Sequence, residues 1–364
     1  MTEPILDIAP YVRERADFLE QAGALGAELG AHVHPLRGPD GEELAADVAR
    51  FGTPVGRADR IVLMTAGLHG VEGHAGHGLQ HQLMSSGRLG SLPDGLAVVL
   101  VHGANPFGWA WSRRVDHENV DVNRNFVDYG DLPDNPLYAE VDPLLNPRAE
   151  ELDPSDTSFL GELLEFWGRV GDHVAMKTLN GGQYTVPDGV QYGGDHMTWS
   201  RRTLQEIWDH HLEGADLAIN LDVHTGLGPT GRLTVFQTAD ADEPAAELGA
   251  RLYPEHVYRA DRADGDAVDT GLLGPGFDAW AAEHGGGVQT MNFVLEFGGL
   301  DVTSGVTAFR ADNWLHHHGD WRSDTGRRIR SMMEDHFFVR DGDWRQQVAD
   351  QGEMAWTVAL DELS

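Results

Sequence analysis

The sequence contains no cysteine and only one lysine, Lys177. The absence of cysteine excludes disulfides and thiolate metal sites, and it fits a cytoplasmic location. No run approaches the roughly 18 consecutive apolar residues that a membrane-spanning helix needs. The amino terminus also lacks the basic and then apolar pattern of a cleaved signal. We therefore predict a soluble, cytoplasmic protein.

Positive charge is scarce throughout the chain. There are 59 acidic residues against 26 lysines and arginines, and the formal net charge is −33 at pH 7. Such a surface repels the phosphates of nucleic acids and the headgroups of anionic membranes, which argues against both as partners. The expected partner is a small-molecule or peptide substrate. The sequence leaves the oligomeric state open.

The 364 residues, 41% of them hydrophobic, are enough for a large core, and we predict one domain over 1–364. Short apolar runs alternate with segments of helical periodicity, which is typical of an α/β protein. We predict a three-layer α/β/α fold with a mixed sheet that is parallel in its centre. The predicted elements are strands at 32–36, 44–51 (half-exposed), 61–66, 96–101, 217–223, 233–237 and 293–296, helices at 1–30, 74–86, 156–170, 201–213, 243–252 and most of 310–364, and an irregular segment at 128–160.

A glycine-rich stretch, 67–73, follows the apolar run 61–64 and carries His69 and Glu72. A buried strand that ends in such a turn places polar side chains at the carboxyl edge of the sheet, where α/β proteins bind ligands. His224 lies in the same kind of position, directly after the apolar run 217–223 and before another glycine. Two histidines and one carboxylate with an open fourth position are typical of catalytic zinc. We predict one Zn²⁺ per chain, bound by these three residues.

Other histidines lie close together in the sequence without forming a comparable set. His74, His77 and His81 share one face of a predicted helix, but no carboxylate joins that face. The three histidines at 316–318 point in three helical directions. We expect structural roles for the first group, and structural or pocket-lining roles for the second.

Arginines follow the second buried strand, 96–101, and are therefore expected at the same edge of the sheet. Arg113, Arg114 and Arg124 lie in this segment. Guanidinium groups there can bind a substrate carboxylate or polarise a carbonyl. The alternative is a charged loop in which Arg124 pairs with a nearby acid. Later in the chain, Glu296 ends an apolar strand, and such a setting raises a carboxyl pKa and suits it to proton transfer.

In this order, the motifs resemble those of the zinc carboxypeptidase superfamily, which includes the succinylglutamate desuccinylase and aspartoacylase branches. The chain resembles more closely a bacterial branch known only as a domain of unknown function. The superfamily motifs are His69-x-x-Glu72, Val120-Asp-x-Asn-Arg-Asn-Phe126, His224 and Glu296. The phrases shared with the bacterial branch are His69-Gly-Val-Glu-Gly73, Asn105-Pro-Phe-Gly108, Gly182-Gln-Tyr184, Tyr192-Gly-Gly194, Trp199-Ser200, His224-Thr-Gly-Leu-Gly-Pro229 and Asn313-Trp-Leu-His-His-His-Gly319.

The resemblance implies a zinc-carboxypeptidase-like fold and the same three zinc ligands. It implies that Glu296 acts as general base and then as general acid, and that Arg114 stabilises the oxyanion. Asn123 and Arg124 match the pair that grips a terminal carboxylate. Asp121 matches the acid that orients a ligand histidine, as such ligands generally require.

One departure from the superfamily pattern concerns the residue that closes the pocket. Carboxypeptidases proper carry a mobile tyrosine shortly before the catalytic glutamate, whereas 262–295 contain no tyrosine. Either a different residue closes the pocket, with Tyr184, Tyr192 and Trp199 as candidates, or the substrate is not a peptide C-terminus. The alternative for all three is ordinary aromatic packing.

The predicted function is a zinc-dependent hydrolase of an amide bond in a carboxylate-bearing substrate, either a peptide C-terminus or an N-acyl amino acid. One alternative is a general zinc amidase or esterase that does not require a terminal carboxylate. Another is a non-catalytic module that binds carboxylated ligands. The sequence does not identify the acyl group, the leaving group or the native metal.

Overall fold

The computed structural model describes residues 6–237, 243–259, 270–284 and 286–364. Within these residues, the strands are β1 (Glu28–Arg37), β2 (Glu43–Gly52), β3 (Arg60–Ala66), β4 (Leu96–His102), β5 (Leu217–Thr230), β6 (Leu233–Gln237), β7 (Val257–Arg259) and β8 (Gln289–Gly298). The helices are α1 (Tyr11–Ala24), α2 (Gly73–Ser85), α3 (Pro106–Ala110), α4 (Tyr138–Leu145), α5 (Leu160–Val170), α6 (Asp172–Asn180), α7 (Trp199–His211), α8 (Pro244–Leu252), α9 (Leu273–Glu283), α10 (Val302–His318), α11 (Asp324–Phe337) and α12 (Gly342–Leu363). None of these helices has the length and apolar character needed to cross a membrane.

The strands form one mixed sheet in the order β1-β2-β4-β3-β5-β8-β6-β7. Its four central strands, β4, β3, β5 and β8, run parallel, while β2 joins β4 and β6 joins β8 in antiparallel fashion. The predicted mixed sheet with a parallel centre is therefore confirmed. In the register, Ala66 lies opposite Val223, and His224 lies opposite Glu296. The strand ends that carry the candidate site residues are thus immediate neighbours.

Both faces of the sheet are buried under helices, which confirms the α/β/α layers. Successive side chains of a strand point to opposite faces. Accordingly, Val62 and Met64 of β3 belong to one apolar cluster, and Ile61 and Leu63 belong to another. The first cluster is completed by residues of α1, α2 and α12, and the second by residues of α7 and α9. Each large apolar side chain buried in this way contributes about 1.5–3 kcal/mol to the free energy of unfolding.

The predicted helix at 1–30 is shorter than expected. It begins at Tyr11 after Pro10 and ends at Ala24. Gly26 adopts a left-handed φ of 78°, and the N–H of Ala27 donates to the carbonyl of Ala22 at 3.0 Å, which is a common way to end a helix. The chain then enters β1 at Glu28. The first five residues of the predicted helix lie outside the described residues.

The prediction of a half-exposed strand at 44–51 is wrong, because β2 is buried from Leu44 to Phe51. Its polar residues suggested exposure, but they are buried with partners. Asp47 accepts a hydrogen bond from Arg15 of α1 at 2.6 Å, and Arg50 donates to the carbonyl of His211 at 2.8 Å. These partners are distant in sequence, so the strand's own pattern does not reveal them.

The segment 128–160 is not irregular throughout, since it contains α4. Tyr138, Val141 and Leu145 of this helix pack with residues of α5 and α6 in a separate apolar cluster. Pro143 lies inside α4, and proline is a poor helix former. This proline obscured the helical pattern.

Candidate metal centre and active site

The turn after β3 depends on glycines. Gly67 adopts a left-handed φ of 73°, which turns the chain away from the strand. A Cβ added at Gly70 would lie 2.1 Å from backbone atoms of α3, and one added at Gly73 would lie 2.3 Å from the ring of Trp109. Only glycine permits this close packing of the turn on α3. The packing fixes the backbone that carries His69 and Glu72.

His69, Glu72 and His224 form a compact, buried cluster. The Nδ1 atom of His69 lies 2.8 Å from Glu72 Oε1, and the Nδ1 atom of His224 lies 2.9 Å from Glu72 Oε2. The two Nδ1 atoms are 3.1 Å apart. For metal bonds near 2.1 Å, neighbouring tetrahedral ligand atoms are separated by about 3.4 Å. The three side chains thus fit a zinc ion after a small outward shift.

The second nitrogen of each histidine faces a carboxylate. His69 Nε2 lies 3.2 Å from Asp121 Oδ1, and His224 Nε2 lies 2.9 Å from Asp222 Oδ2. Metal-binding histidines typically have such partners, which fix the tautomer and the ring orientation. Asp121 is the acid that the motif resemblance implies for this role. Sequence reasoning missed Asp222, although its place two residues before His224 puts it on the same face of β5.

The electrostatics of the cluster favour positive charge at its centre. Burial raises the pKa of Glu72, but His69 and His224 outweigh burial and hold it below its usual value. Burial lowers the pKa of His224, but Asp222 and Glu72 raise it well above its usual value. A bound divalent cation would supply positive charge to the same carboxylates. The three side chains therefore fit the predicted metal.

Glu296 lies beside the cluster on β8, directly opposite His224. Its Oε1 atom accepts a hydrogen bond of 2.8 Å from the backbone N–H of Leu227. Burial and the nearby carboxylate of Glu72 raise the pKa of Glu296 to about 8. The location and the raised pKa suit a group that accepts and returns a proton, and this role stays a prediction.

Arg114 is held against the outer side of the cluster. Its guanidinium donates to Asp121 Oδ2 and, at 3.2 Å, to Gln191 Oε1. The guanidinium carbon also lies 5.7 Å from the ring centre of Phe309 on α10. Arg114, more than any other group, opposes the effect of burial and holds the pKa of Asp121 well below its usual range. Sequence reasoning missed Gln191 and Phe309, because both come from distant segments.

Asn123 and Arg124 lie on the short helical turn that follows Asp121. Asn123 Oδ1 accepts from the N–H of Leu273 at 2.8 Å. The guanidinium of Arg124 donates to the carbonyl of Asn180 at 2.9 Å and to that of Asn123 at 2.7 Å. These contacts join neighbouring segments of the backbone. The predicted grip on a substrate carboxylate is compatible with them and stays a prediction.

Two of the three aromatic candidates for closing the pocket, Tyr184 and Tyr192, lie against this same segment. The hydroxyl of Tyr184 donates to the carbonyl of Arg124 at 2.6 Å, and the carbonyl of Tyr192 accepts from the N–H of Asp121 at 2.7 Å. Trp199 packs edge-on against His34, with ring centres 4.7 Å apart. Tyr184 and Tyr192 therefore support the segment 121–124. Their role toward substrate stays a prediction.

The remaining histidine groups have structural partners. His74 Nδ1 lies 2.8 Å from Glu14 Oε2, and His77 Nδ1 lies 3.2 Å from the Nε2 atom of His102. His316 lies within hydrogen-bond distance of Arg113.

The same Arg113 does not contribute to the metal cluster. Its side chain is fully buried and forms an ion pair with Asp312 of α10 at 3.1 Å. The ion pair with Asp312 keeps Arg113 away from the metal cluster, whereas the adjacent Arg114 forms an ion pair with Asp121.

The fold and the site define an α/β protein with a candidate His₂Glu metal centre at the carboxyl edge of its sheet. The chain belongs to the family described as "Protein of unknown function (DUF2817)", whose model matches residues 8–351. This agrees with the bacterial branch that the motifs resemble. A search of curated protein sequences finds no significant match.

Among solved structures, the chain is similar to carboxypeptidase A from Helicoverpa armigera, with a TM-score of 0.48, 12% identity, and coverage of 90% of this chain and 74% of that chain. It is similar to bovine thrombin-activatable fibrinolysis inhibitor, with a TM-score of 0.46, 10% identity and 98% coverage of both chains. It is also similar to succinylglutamate desuccinylase from Chromobacterium violaceum, with a TM-score of 0.39, 14% identity, and coverage of 84% and 74%. Since all three scores are below 0.5, function must be inferred from the site itself.

The contact between Asp222 and His224 leads to a prediction about metal affinity. The Asp222→Asn substitution removes the carboxylate that orients His224, so Zn²⁺ affinity should fall by about 10–100-fold. Competition between the metal-free protein and a chelator of known affinity measures this change. The control is Asp216→Asn, at an exposed aspartate just before β5, which should leave the affinity unchanged. Equal affinities of the Asp222→Asn and wild-type proteins would contradict the prediction.

Proposed function

We propose that the protein is a zinc-dependent hydrolase that cleaves an amide bond in a carboxylate-bearing substrate, such as a peptide C-terminus or an N-acyl amino acid. The observation that carries this proposal is the convergence of the two histidine Nδ1 atoms on Glu72, with the buried Glu296 opposite His224. Nitrogen and oxygen donors in a chain without cysteine suit zinc. The residues that would hold it are His69, Glu72 and His224.

When bound, zinc supplies a Lewis acid that polarises the substrate carbonyl and lowers the pKa of the attacking water. Glu296 takes a proton from that water and returns it to the nitrogen of the leaving amine. Burial raises the pKa of Glu296 above its usual range, so the carboxyl can hold the proton between taking it from the water and releasing it to the amine. The backbone N–H of Leu227 donates to Oε1 of the Glu296 carboxylate and holds it in place. The other carboxylate oxygen accepts and releases the proton.

Arg114 stabilises the negative charge that develops on the substrate oxygen. Asp121 and Gln191 hold its guanidinium in place, so little reorganisation is needed when the charge appears. The loss of one such donor typically costs about 2.7–4 kcal/mol of transition-state stabilisation. Asp121 has two functions in this proposal, because it also orients His69.

The preference for a carboxylate rests on Asn123 and Arg124. Arg124 is a buried cation that follows Asp121 by three residues, and its charge helps to lower the pKa of Asp121. Two of its nitrogens donate to backbone carbonyls, and this observation favours a second candidate function, a general zinc amidase or esterase. A non-catalytic binding module would not need Glu296, and its presence next to the metal ligands supports an enzyme.

A hydrolysis screen of N-acyl amino acids, dipeptides and simple amides, with and without a chelator, identifies a substrate for the Glu296 test. Glu296→Gln preserves the size of the side chain but removes the proton acceptor, so turnover should fall by about 10²–10⁴-fold. Metal content should not change. Glu213→Gln, at an exposed position, is the control. Retained turnover in the Glu296→Gln protein would show that the base lies elsewhere.

The Arg124→Ala substitution distinguishes a hydrolase that requires a substrate carboxylate from a general amidase or esterase. If Arg124 grips the substrate, kcat/KM should fall for carboxylate-bearing substrates and be spared for their amidated analogues. A guanidinium–carboxylate pair requires both partners, which is the reason for the difference. Melting temperature is measured in parallel to detect structural damage. Equal losses on both kinds of substrate would replace the carboxylate preference with the general amidase or esterase.

A further inference from the structure

A second cluster of ligand-type side chains lies between Arg114 and Asp121. Asp116, His117 and Glu118 each offer one donor atom, and these atoms all lie within 4.8 Å of one another. In the part of the chain that the structure describes, the His69 cluster is the only other group of this kind. The two clusters share no residue.

A fourth side chain approaches the cluster from a different segment. His196 Nε2 lies 3.3 Å from Glu118 Oε2, and His117 Nε2 lies 3.9 Å from the same oxygen. These separations bracket the distance of about 3.4 Å expected between neighbouring tetrahedral ligands with bonds near 2.1 Å. The other ring nitrogen of His196 contacts Asp195 Oδ1 at 2.6 Å. His196 thus has the carboxylate partner that metal-binding histidines usually have.

The second indication of a ligand is an unsatisfied carboxylate oxygen. Asp116 is 2% exposed, and its Oδ1 atom accepts from the N–H groups of Glu118 and Val120 at 2.9 Å each. Its Oδ2 atom is also buried but has no hydrogen-bond partner among the described residues. Unsatisfied buried polar atoms are costly, and a cation bound to this carboxylate oxygen would remove that cost.

We propose that Asp116, His117 and Glu118 bind a second divalent transition-metal ion, separate from the candidate catalytic centre, and that the half-exposed His196 turns from Glu118 toward this ion as a fourth ligand. Two imidazoles and two carboxylates suit Zn²⁺ and related ions better than Ca²⁺, which prefers oxygen ligands alone. This site does not depend on the proposed hydrolase function. It goes beyond that function, because none of its four residues belongs to the catalytic set.

A cation here would stabilise the loop that joins Arg114 to Asp121. The N–H of Asp116 donates to the carbonyl of Val120 at 2.9 Å, which closes the loop, and the carbonyl of Asp116 accepts from Arg113 at 3.2 Å. A ligand that binds only the folded loop stabilises it by mass action. The ion's role is therefore structural, and binding rather than turnover is the measurement that tests it.

The test uses the full-length protein stripped of metal and dialysed against Zn²⁺, with bound zinc measured by elemental analysis. In a His69→Ala, His224→Ala protein, the first site is absent, and one Zn²⁺ per chain should remain. Adding Asp116→Asn and His117→Gln to that protein should remove it. The proposal is overturned if the His69→Ala, His224→Ala protein binds no zinc, or if the additional changes leave one zinc bound. Either result is independent of catalytic activity.

Two further variants guard against indirect effects. The Glu118→Gln, His196→Gln variant changes the more exposed ligands and leaves Asp116 intact. It should weaken zinc binding at the second site by at least tenfold. Its circular dichroism spectrum should stay unchanged. The matched control is Glu283→Gln with His284→Gln. This exposed adjacent pair has the same 3.9 Å nitrogen–oxygen separation as His117 and Glu118. Unchanged zinc affinity in the Glu118→Gln, His196→Gln protein, or an equal loss in the Glu283→Gln, His284→Gln protein, would contradict the assignment.

Discussion

The structure of the site depends on one buried carboxylate, that of Glu72, which is shared between two histidines. Both of its oxygens are used, and Oε2 also accepts a hydrogen bond of 3.0 Å from the backbone N–H of Thr225. A carboxylate buried to this degree requires positive charge nearby, because desolvation of an unpaired anion is very costly. Burial lowers the pKa of His224, but Asp222 and Glu72 raise it well above its usual value, so His224 supplies positive charge in the metal-free state. A metal ion bound by the same three side chains would supply that charge in place of the proton on His224.

The sheet and its turns serve to bring these three side chains together. The parallel register of β3, β5 and β8 places the ends of the strands at one edge, and it sets His224 directly opposite Glu296. The glycines of the first turn allow it to pack against α3 so closely that its backbone has little freedom. Asp121 and Asp222 then fix the orientation of the two imidazoles from outside. Each level of structure thus restricts the geometry of the next.

The parts of this arrangement that sequence reasoning could predict are those encoded locally. Apolar runs revealed the central strands, and the glycine turns after them revealed where His69, Glu72 and His224 would lie. The contacts made by distant segments were not predictable in this way. Asp47 and Arg50 are buried only because α1 and α7 supply their partners, and the contacts of Arg114 with Gln191 and Phe309 require the complete fold. The contact of Asp222 with His224 is encoded locally, because the two residues lie two apart on one strand.

We propose that one metal ion is bound at this site through the Nδ1 atoms of His69 and His224 and the carboxylate of Glu72. Crystals of the protein saturated with Zn²⁺, measured on both sides of the zinc absorption edge, show where the ion binds. We expect an anomalous peak within bonding distance, about 2.0–2.2 Å, of these three groups. No peak between them, or zinc bound through the Nε2 atoms that face Asp121 and Asp222, would contradict this assignment.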